Sequence, residues 1–176
     1  MRFRIFALVI ALQSAWIIGT SIIQERALRV GTAILLETQP VDPRDLLAGD
    51  FIRLNYKISD VPTHFFTPPI SAKPRAGSTV FVALAKRGRF YEVARASIEP
   101  LDPAIGEVVL HGLVESRPWQ SPEVVHLEYG LERYYVPEGK GNPRGKVTVE
   151  AVVPSSGGAA IKEVFVDGKP FADPMK

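Results

Sequence analysis

The chain has 176 residues, 46% of them apolar and 23% charged, the proportions of a folded protein rather than a disordered one. The formal net charge of +2 comes from scattered residues, so no phosphate-tracking patch and no nucleic-acid partner is expected. With no cysteine, disulfides, thiolate nucleophiles, zinc fingers and iron–sulfur ligation are all excluded, and no cofactor or metal is expected.

Residues 5–23 read IFALVIALQSAWIIGTSII, an uncharged run whose only polar side chains are Gln13, Ser14, Thr20 and Ser21. At roughly 1.5 Å per residue a helix of this length matches the hydrocarbon thickness of a bilayer. Arg2 and Arg4 precede it, and Glu25 and Arg26 follow. The positive-inside rule therefore puts residues 1–4 in the cytoplasm and the rest of the chain outside, at the periplasmic face of an inner membrane. A cleaved signal peptide and a buried soluble helix are the competing readings. No clean small-x-small site precedes Gln24, Gly19–Ser21 being the nearest candidate, and the run is long for a signal peptide, so an uncleaved single-pass anchor is expected. Residues 24–31 serve as a connector that Gly31 ends.

Strand patterns dominate residues 32–176, the expected extracytoplasmic domain. Ala33–Thr38 is a short apolar run. Phe51–Ile58 alternates, with Ile52, Leu54, Tyr56 and Ile58 on one face. Val61–Pro74 is rich in proline and reads as an irregular loop, with Phe65 and Phe66 in need of packing partners. Thr79–Ala85 and Phe90–Ile98 flank a Gly-containing turn and form a hairpin. Glu107–Glu115, Val124–Tyr129 and Arg133–Val136 follow. Lys146–Val153 and Ala159–Val166 close the chain around a Ser155–Gly158 turn. Eight or nine short strands between Pro/Gly-rich turns predict an all-β sandwich or partly open barrel behind one transmembrane helix.

Two segments stand out as candidate sites. In Val41–Tyr56, Asp42, Arg44, Asp45, Gly49 and Asp50 cluster before the alternating strand. A charged turn that hydrogen-bonds itself is the bland reading; a ligand or partner surface is the sharper one. The carboxylates do not have EF-hand spacing, and Arg44 would compete with a cation. In Glu132–Gly145, Tyr134 and Tyr135 are strand residues, one facing in and one out, and Glu138, Gly139 and Gly141 form a tight Gly-rich loop with Lys140 and Arg144 nearby. It lacks phosphate-loop spacing and reads first as a hairpin loop. His64, His111 and His126 have no metal-ligand spacing, and no serine sits in a nucleophile elbow.

The run Gly49-Asp50-Phe51-Ile52-Arg53-Leu54-Asn55-Tyr56 resembles the signature of the GDYXXLXY-domain family of bacterial proteins, with Phe51 in place of the tyrosine. Pro43-Arg44-Asp45-Leu46, Tyr135-Val136-Pro137-Glu138-Gly139-Lys140-Gly141 and the closing valine-rich hairpin resemble it too. The resemblance covers nearly the whole chain and implies a membrane-anchored extracytoplasmic protein, without naming an activity. Leu46–Ile52 is also similar to the strand entry of type I signal peptidases. There the nucleophile's place holds Val41, Thr38 is displaced, and Lys86 lacks the lysine block, so serine–lysine chemistry is not carried over.

The expected function is a non-catalytic, membrane-tethered binding or assembly module. Its contact surface is the Asp42–Asp50 loop with the Glu138–Gly141 loop, and the candidate binding residues are Asp42, Arg44, Asp45, Gly49, Asp50, Tyr56, Tyr135, Glu138, Gly139 and Gly141. The alternative is an envelope hydrolase using Asp42, Asp45 and Asp50, which would need them in a pocket beside the Glu138 loop. The expected partners are the bilayer, through residues 5–23, and a multi-spanning membrane protein to which Gln13 and Ser14 offer an interhelical hydrogen bond.

Overall fold

The computed structural model describes residues 2–39, 51–70, 72–116, 121–135, 143 and 145–171. Helix α1 runs from Arg2 to Val30, 29 residues without a break. The Thr20 hydroxyl donates back to the carbonyls of Trp16 and Ile17, both at 3.0 Å. Phe6, Val9, Ile10, Leu12, Trp16, Ile17 and Ile18 are all exposed along the helix. Side chains are described without interruption only over 12–21. Among the described residues no helix is long and apolar enough to cross a membrane, so the span expected over 5–23 rests on the sequence alone. At Gly31 the backbone turns against the far end of the domain. A Cβ there would come within 2.6 Å of Val152 and 2.8 Å of the Val153 carbonyl oxygen, a contact real side chains do not make.

The remainder is mostly β, in antiparallel sheets. Eleven strands follow among the described residues: β1 (Thr32–Glu37), β2 (Phe51–Arg53), β3 (Asp60–Pro62), β4 (Thr79–Arg87), β5 (Phe90–Ser97), β6 (Glu107–Glu115), β7 (Val124–Glu128), β8 (Arg133–Tyr135), β9 (Val147–Val153), β10 (Ala160–Val166) and β11 (Lys169–Pro170). One sheet has the order β1-β9-β10-β11, a second β3-β7-β6-β4-β5, and β2 and β8 make a separate ribbon. The inward alternates of both larger sheets meet in one core: Ile34 and Leu36 from β1, Val149 and Ala151 from β9, Val80, Val82 and Leu84 from β4, Leu110 from β6 and Leu127 from β7. The short strands hold together through this shared core, to which β1 and β4 give two and three fully buried branched side chains, each worth about 1.5–3 kcal/mol of apolar burial.

Three places differ from the pattern-based expectation of eight or nine strands. The alternation of 51–58 holds, since Ile52, Leu54, Tyr56 and Ile58 are all buried, but only Phe51–Arg53 is strand. Beyond Arg53 the backbone changes partners. The Leu54 N–H donates to the Glu132 carbonyl at 2.7 Å, and the Asn55 carbonyl then accepts from Gln39 N–H at 2.7 Å. Tyr56 bridges to Thr38, and a 3-10 turn follows at Lys57–Ser59. The proline-rich stretch is also more ordered than its composition implies. β3 pairs with β7, and its Pro62 sits at the end of an edge strand, where a missing N–H costs little. Phe66 is buried beneath it and bridges to Ala96. Finally, an Asp167–Gly168 turn with positive φ at both residues folds β11 back on β10.

Candidate functional site

The segment carrying the sequence signature is a structural hub. Tyr56 is wholly buried, and its hydroxyl donates to the Leu131 carbonyl at 2.7 Å. Tyr129, also buried, donates to the Ile58 carbonyl at 2.8 Å. Each phenol thus grips the backbone two residues beyond the other, a reciprocal clasp between 56–58 and 129–131. Burial, with Glu132 adding to it, raises both phenols well above their ordinary range, so they remain neutral donors. Leu54 fills the core beside them. The Glu132 carboxylate accepts from Tyr129 N–H at 2.6 Å, fixing the turn that leads into β8.

The clasp sets the position of the β2–β8 ribbon. Its register pairs Phe51 with Tyr135, Ile52 with Tyr134 and Arg53 with Arg133. Tyr134 leans on the core, while Tyr135 projects outward and is 70% exposed. The Phe51 and Tyr135 rings lie 6.0 Å apart, and the Arg133 guanidinium stands 5.7 Å from the Phe51 ring. Arg53 reaches Glu128 at 3.7 Å. The outer face of the ribbon therefore offers two arginines and two aromatic rings.

Residues 40–50 and 136–142 lie outside the described residues, and with them Asp42, Arg44, Asp45, Gly49, Asp50, Glu138, Gly139 and Gly141. Their attachment points are described. The first segment enters the ribbon at Phe51 and the second leaves it at Tyr135, and these two residues are register partners. Two sequence blocks more than eighty residues apart in the chain thus spring from one end of one ribbon.

Other clusters have structural assignments. His126 is buried, with Nδ1 2.7 Å from Asp60 Oδ1 and Nε2 3.5 Å from Glu115 Oε2. With both ring nitrogens facing carboxylates, it links β7 to β3 and β6. Glu37, at the end of β1, pairs at 2.6 Å with both Lys57 and Lys146, and these two lysines hold its carboxyl below the usual range. The Thr38 hydroxyl is committed to the Val147 carbonyl at 2.8 Å, and Lys86 is exposed on β4. Among the described residues no group of three or more His, Asp or Glu side chains is arranged to hold a metal ion.

A model of the GDYXXLXY protein family matches residues 13–164. The chain belongs to the GDYXXLXY family. Comparison with curated proteins and with solved structures finds no match, and the similarity to signal peptidases is not shown. In this GDYXXLXY protein the leucine and final tyrosine of the signature are Leu54 and Tyr56, and both are core groups. Tyr56, one of the candidate binding residues, is therefore a buried scaffold group on the face it shares with Ile52, Leu54 and Ile58. Tyr135, another of them, is exposed.

The ribbon's Arg53 and Arg133 were not legible as site residues in the GDYXXLXY sequence. Their only signal is the Arg-x-Tyr alternation of 133–135 opposite Phe51-x-Arg53, which has meaning once the register is known. The clasp partner Tyr129 was likewise visible only as the end of a strand.

Proposed function

We propose that this GDYXXLXY protein is a membrane-tethered, extracytoplasmic binding or assembly module without catalytic activity, whose contact surface is the Phe51–Tyr135 end of the β2–β8 ribbon. The observation that carries the reading is the register pairing of those two residues. It gives the Asp42–Asp50 and Glu138–Gly141 segments a common root beside exposed Arg133 and Tyr135. Arginine and tyrosine on a rigid ribbon are suited to recognition. Tyrosine makes a large contact at low entropy cost, and arginine's planar fork adds directional hydrogen bonds to carboxylates. The clasp beneath them holds the ribbon in place, so binding would not have to order it.

The tether reading is supported by the uncharged run 5–23 between Arg2/Arg4 and Glu25/Arg26. It accounts for a helix that exposes Phe6, Leu12, Trp16, Ile17 and Ile18 at 58–74%, a surface that water would penalise and lipid would cover. The Thr20 hydroxyl is satisfied within the helix, as a bilayer core demands.

The test is a crosslinking pull-down of the full chain from intact membranes, comparing wild type with Arg133→Ala and Asp50→Ala. Loss of the same crosslinked species from both variants, with their circular dichroism unchanged, supports the surface. Equal recovery from both would refute it.

A further inference from the structure

The loop between β5 and β6, residues 98–106, carries apolar side chains that the domain does not cover. Ile98 is 47% exposed, and Ile105 is as exposed as a side chain can be. The loop is nevertheless held in shape. Arg95 Nη2 donates to the Asp102 carbonyl at 2.7 Å and to Glu107 Oε2 at 2.8 Å. The same carboxylate oxygen accepts from Ala104 N–H at 3.0 Å. The Glu107 N–H closes the turn onto the Ala104 carbonyl at 2.9 Å, with Gly106 at φ +83°. Ile105 therefore occupies the outer corner of a fixed turn. A solvent-facing corner gives isoleucine no folding benefit, and with Ile98 it leaves this one loop two large apolar side chains open to a contact from outside the domain.

The loop's location identifies what that is. Leu101, Asp102 and Pro103 line a cavity of about 560 Å³ together with Val30, Gly31 and Thr32, the residues where α1 ends and β1 begins. Val30, the last helical residue, is itself 87% exposed. The apolar loop is thus continuous with the end of the helix. If the hydrocarbon edge lies at Ile23, the seven helical residues 24–30 rise about 10 Å beyond it, a few ångströms past a headgroup layer of roughly 5–7.5 Å on each side of a bilayer. A loop beside Val30 lies within reach of that layer.

We infer that the 98–106 loop is a second membrane contact, with Ile105 and Ile98 reaching the outer headgroup layer of the bilayer that α1 crosses, so that the domain is seated on the membrane surface. The inference rests on the tether reading above. A seated domain would hold the β2–β8 ribbon at a fixed height, whereas a single helix with a free joint would let it swing. Interfacial burial of a few large apolar side chains needs no lipid-specific chemistry, and the loop offers no cationic cluster for a headgroup.

The natural chain has no cysteine, so single substitutions give unique labelling sites. Ile105→Cys, Ile98→Cys, Ser14→Cys and Arg89→Cys are spin-labelled in the full chain and reconstituted in phosphatidylcholine vesicles. Collisional accessibility to oxygen and to a water-soluble nickel chelate is then measured. Arg89, in the β4–β5 turn at the opposite end of those strands, reports water, and Ser14 reports the bilayer core. A label held in the headgroup layer should give an oxygen-to-nickel accessibility ratio at 105 and 98 about threefold above that at 89. Ratios at 105 and 98 equal to that at 89, with 14 in the bilayer, overturn the inference and leave the tether standing. A water-like ratio at 14 overturns both.

Discussion

Tyr56→Phe isolates the clasp. The substitution keeps the ring and removes one oxygen, so the packing of a wholly buried side chain is retained and the 2.7 Å bond to the Leu131 carbonyl is lost. A net hydrogen bond is worth about 0.5–1.5 kcal/mol, and a stranded buried acceptor costs about 1–3, which brackets the expected loss at about 1–2 kcal/mol. In a domain of this size that lowers Tm by roughly 3–6 °C. The partner bond, Tyr129 to Ile58, joins the same two segments, so Tyr129→Phe should couple with Tyr56→Phe by at least about 0.5 kcal/mol in a double-mutant cycle. Tyr135→Phe, at an exposed ring, should change stability by less than about 0.5 kcal/mol. The assay is urea unfolding of the full chain in mild detergent, followed by near-ultraviolet circular dichroism. A Tyr56→Phe protein as stable as Tyr135→Phe would refute the clasp as the element that fixes the ribbon.

The remaining predictions concern charge and backbone. Glu37→Gln removes the counter-charge of Lys57 and Lys146, both well exposed, and should cost about 0.5–1.5 kcal/mol in the same unfolding assay. The carboxyls of Glu37 and Glu107 both sit below the ordinary 4.5, Glu37 through its lysines and Glu107 through Arg95 and the Ala104 N–H. Their contribution is complete above that value and is lost as pH falls through their lowered values. Glu37→Gln should therefore flatten the acid limb of the stability–pH curve. Tyr56 and Tyr129 have raised values, so their contribution is complete below pH 10 and is lost only as pH climbs through the folded values. Phenolate absorbance should show these two titrating only together with alkaline unfolding. Gly157→Ala puts a methyl group into the His111 ring at φ +81°, on the turn whose carbonyl accepts from His111 N–H at 3.0 Å. Backbone strain alone predicts a loss of at least about 1–2 kcal/mol by thermal melt.

Period-two alternation was enough to find most of the sheet, because β4, β6 and β9 bury alternate branched residues and carry their pattern locally. It misjudged 54–62, where backbone partners rather than side-chain faces decide the structure: Leu54 bonds to one neighbour and Asn55 to another. Proline composition hid β3, since an edge strand of three residues tolerates Pro62. For the candidate surface, the sequence marked both flanking segments and put Tyr56 on the face of Ile52, Leu54 and Ile58, yet also counted it among the candidate binding residues. A tyrosine that alternates with Leu54 and Ile58 reads equally as core or as handle until Leu131, 75 residues away, supplies the acceptor. Arg53 and Arg133 were silent for the same reason, because their meeting depends on register and register is tertiary.

The ribbon end as contact surface is tested most directly by site-specific photocrosslinking in living membranes. A benzophenone side chain is placed at Tyr135 in one strain and at Arg89, exposed in the β4–β5 turn, in another. A discrete adduct from position 135 that Arg133→Ala diminishes, with none from position 89, is the expected result. No adduct at 135, or the same adducts from both positions, would contradict it.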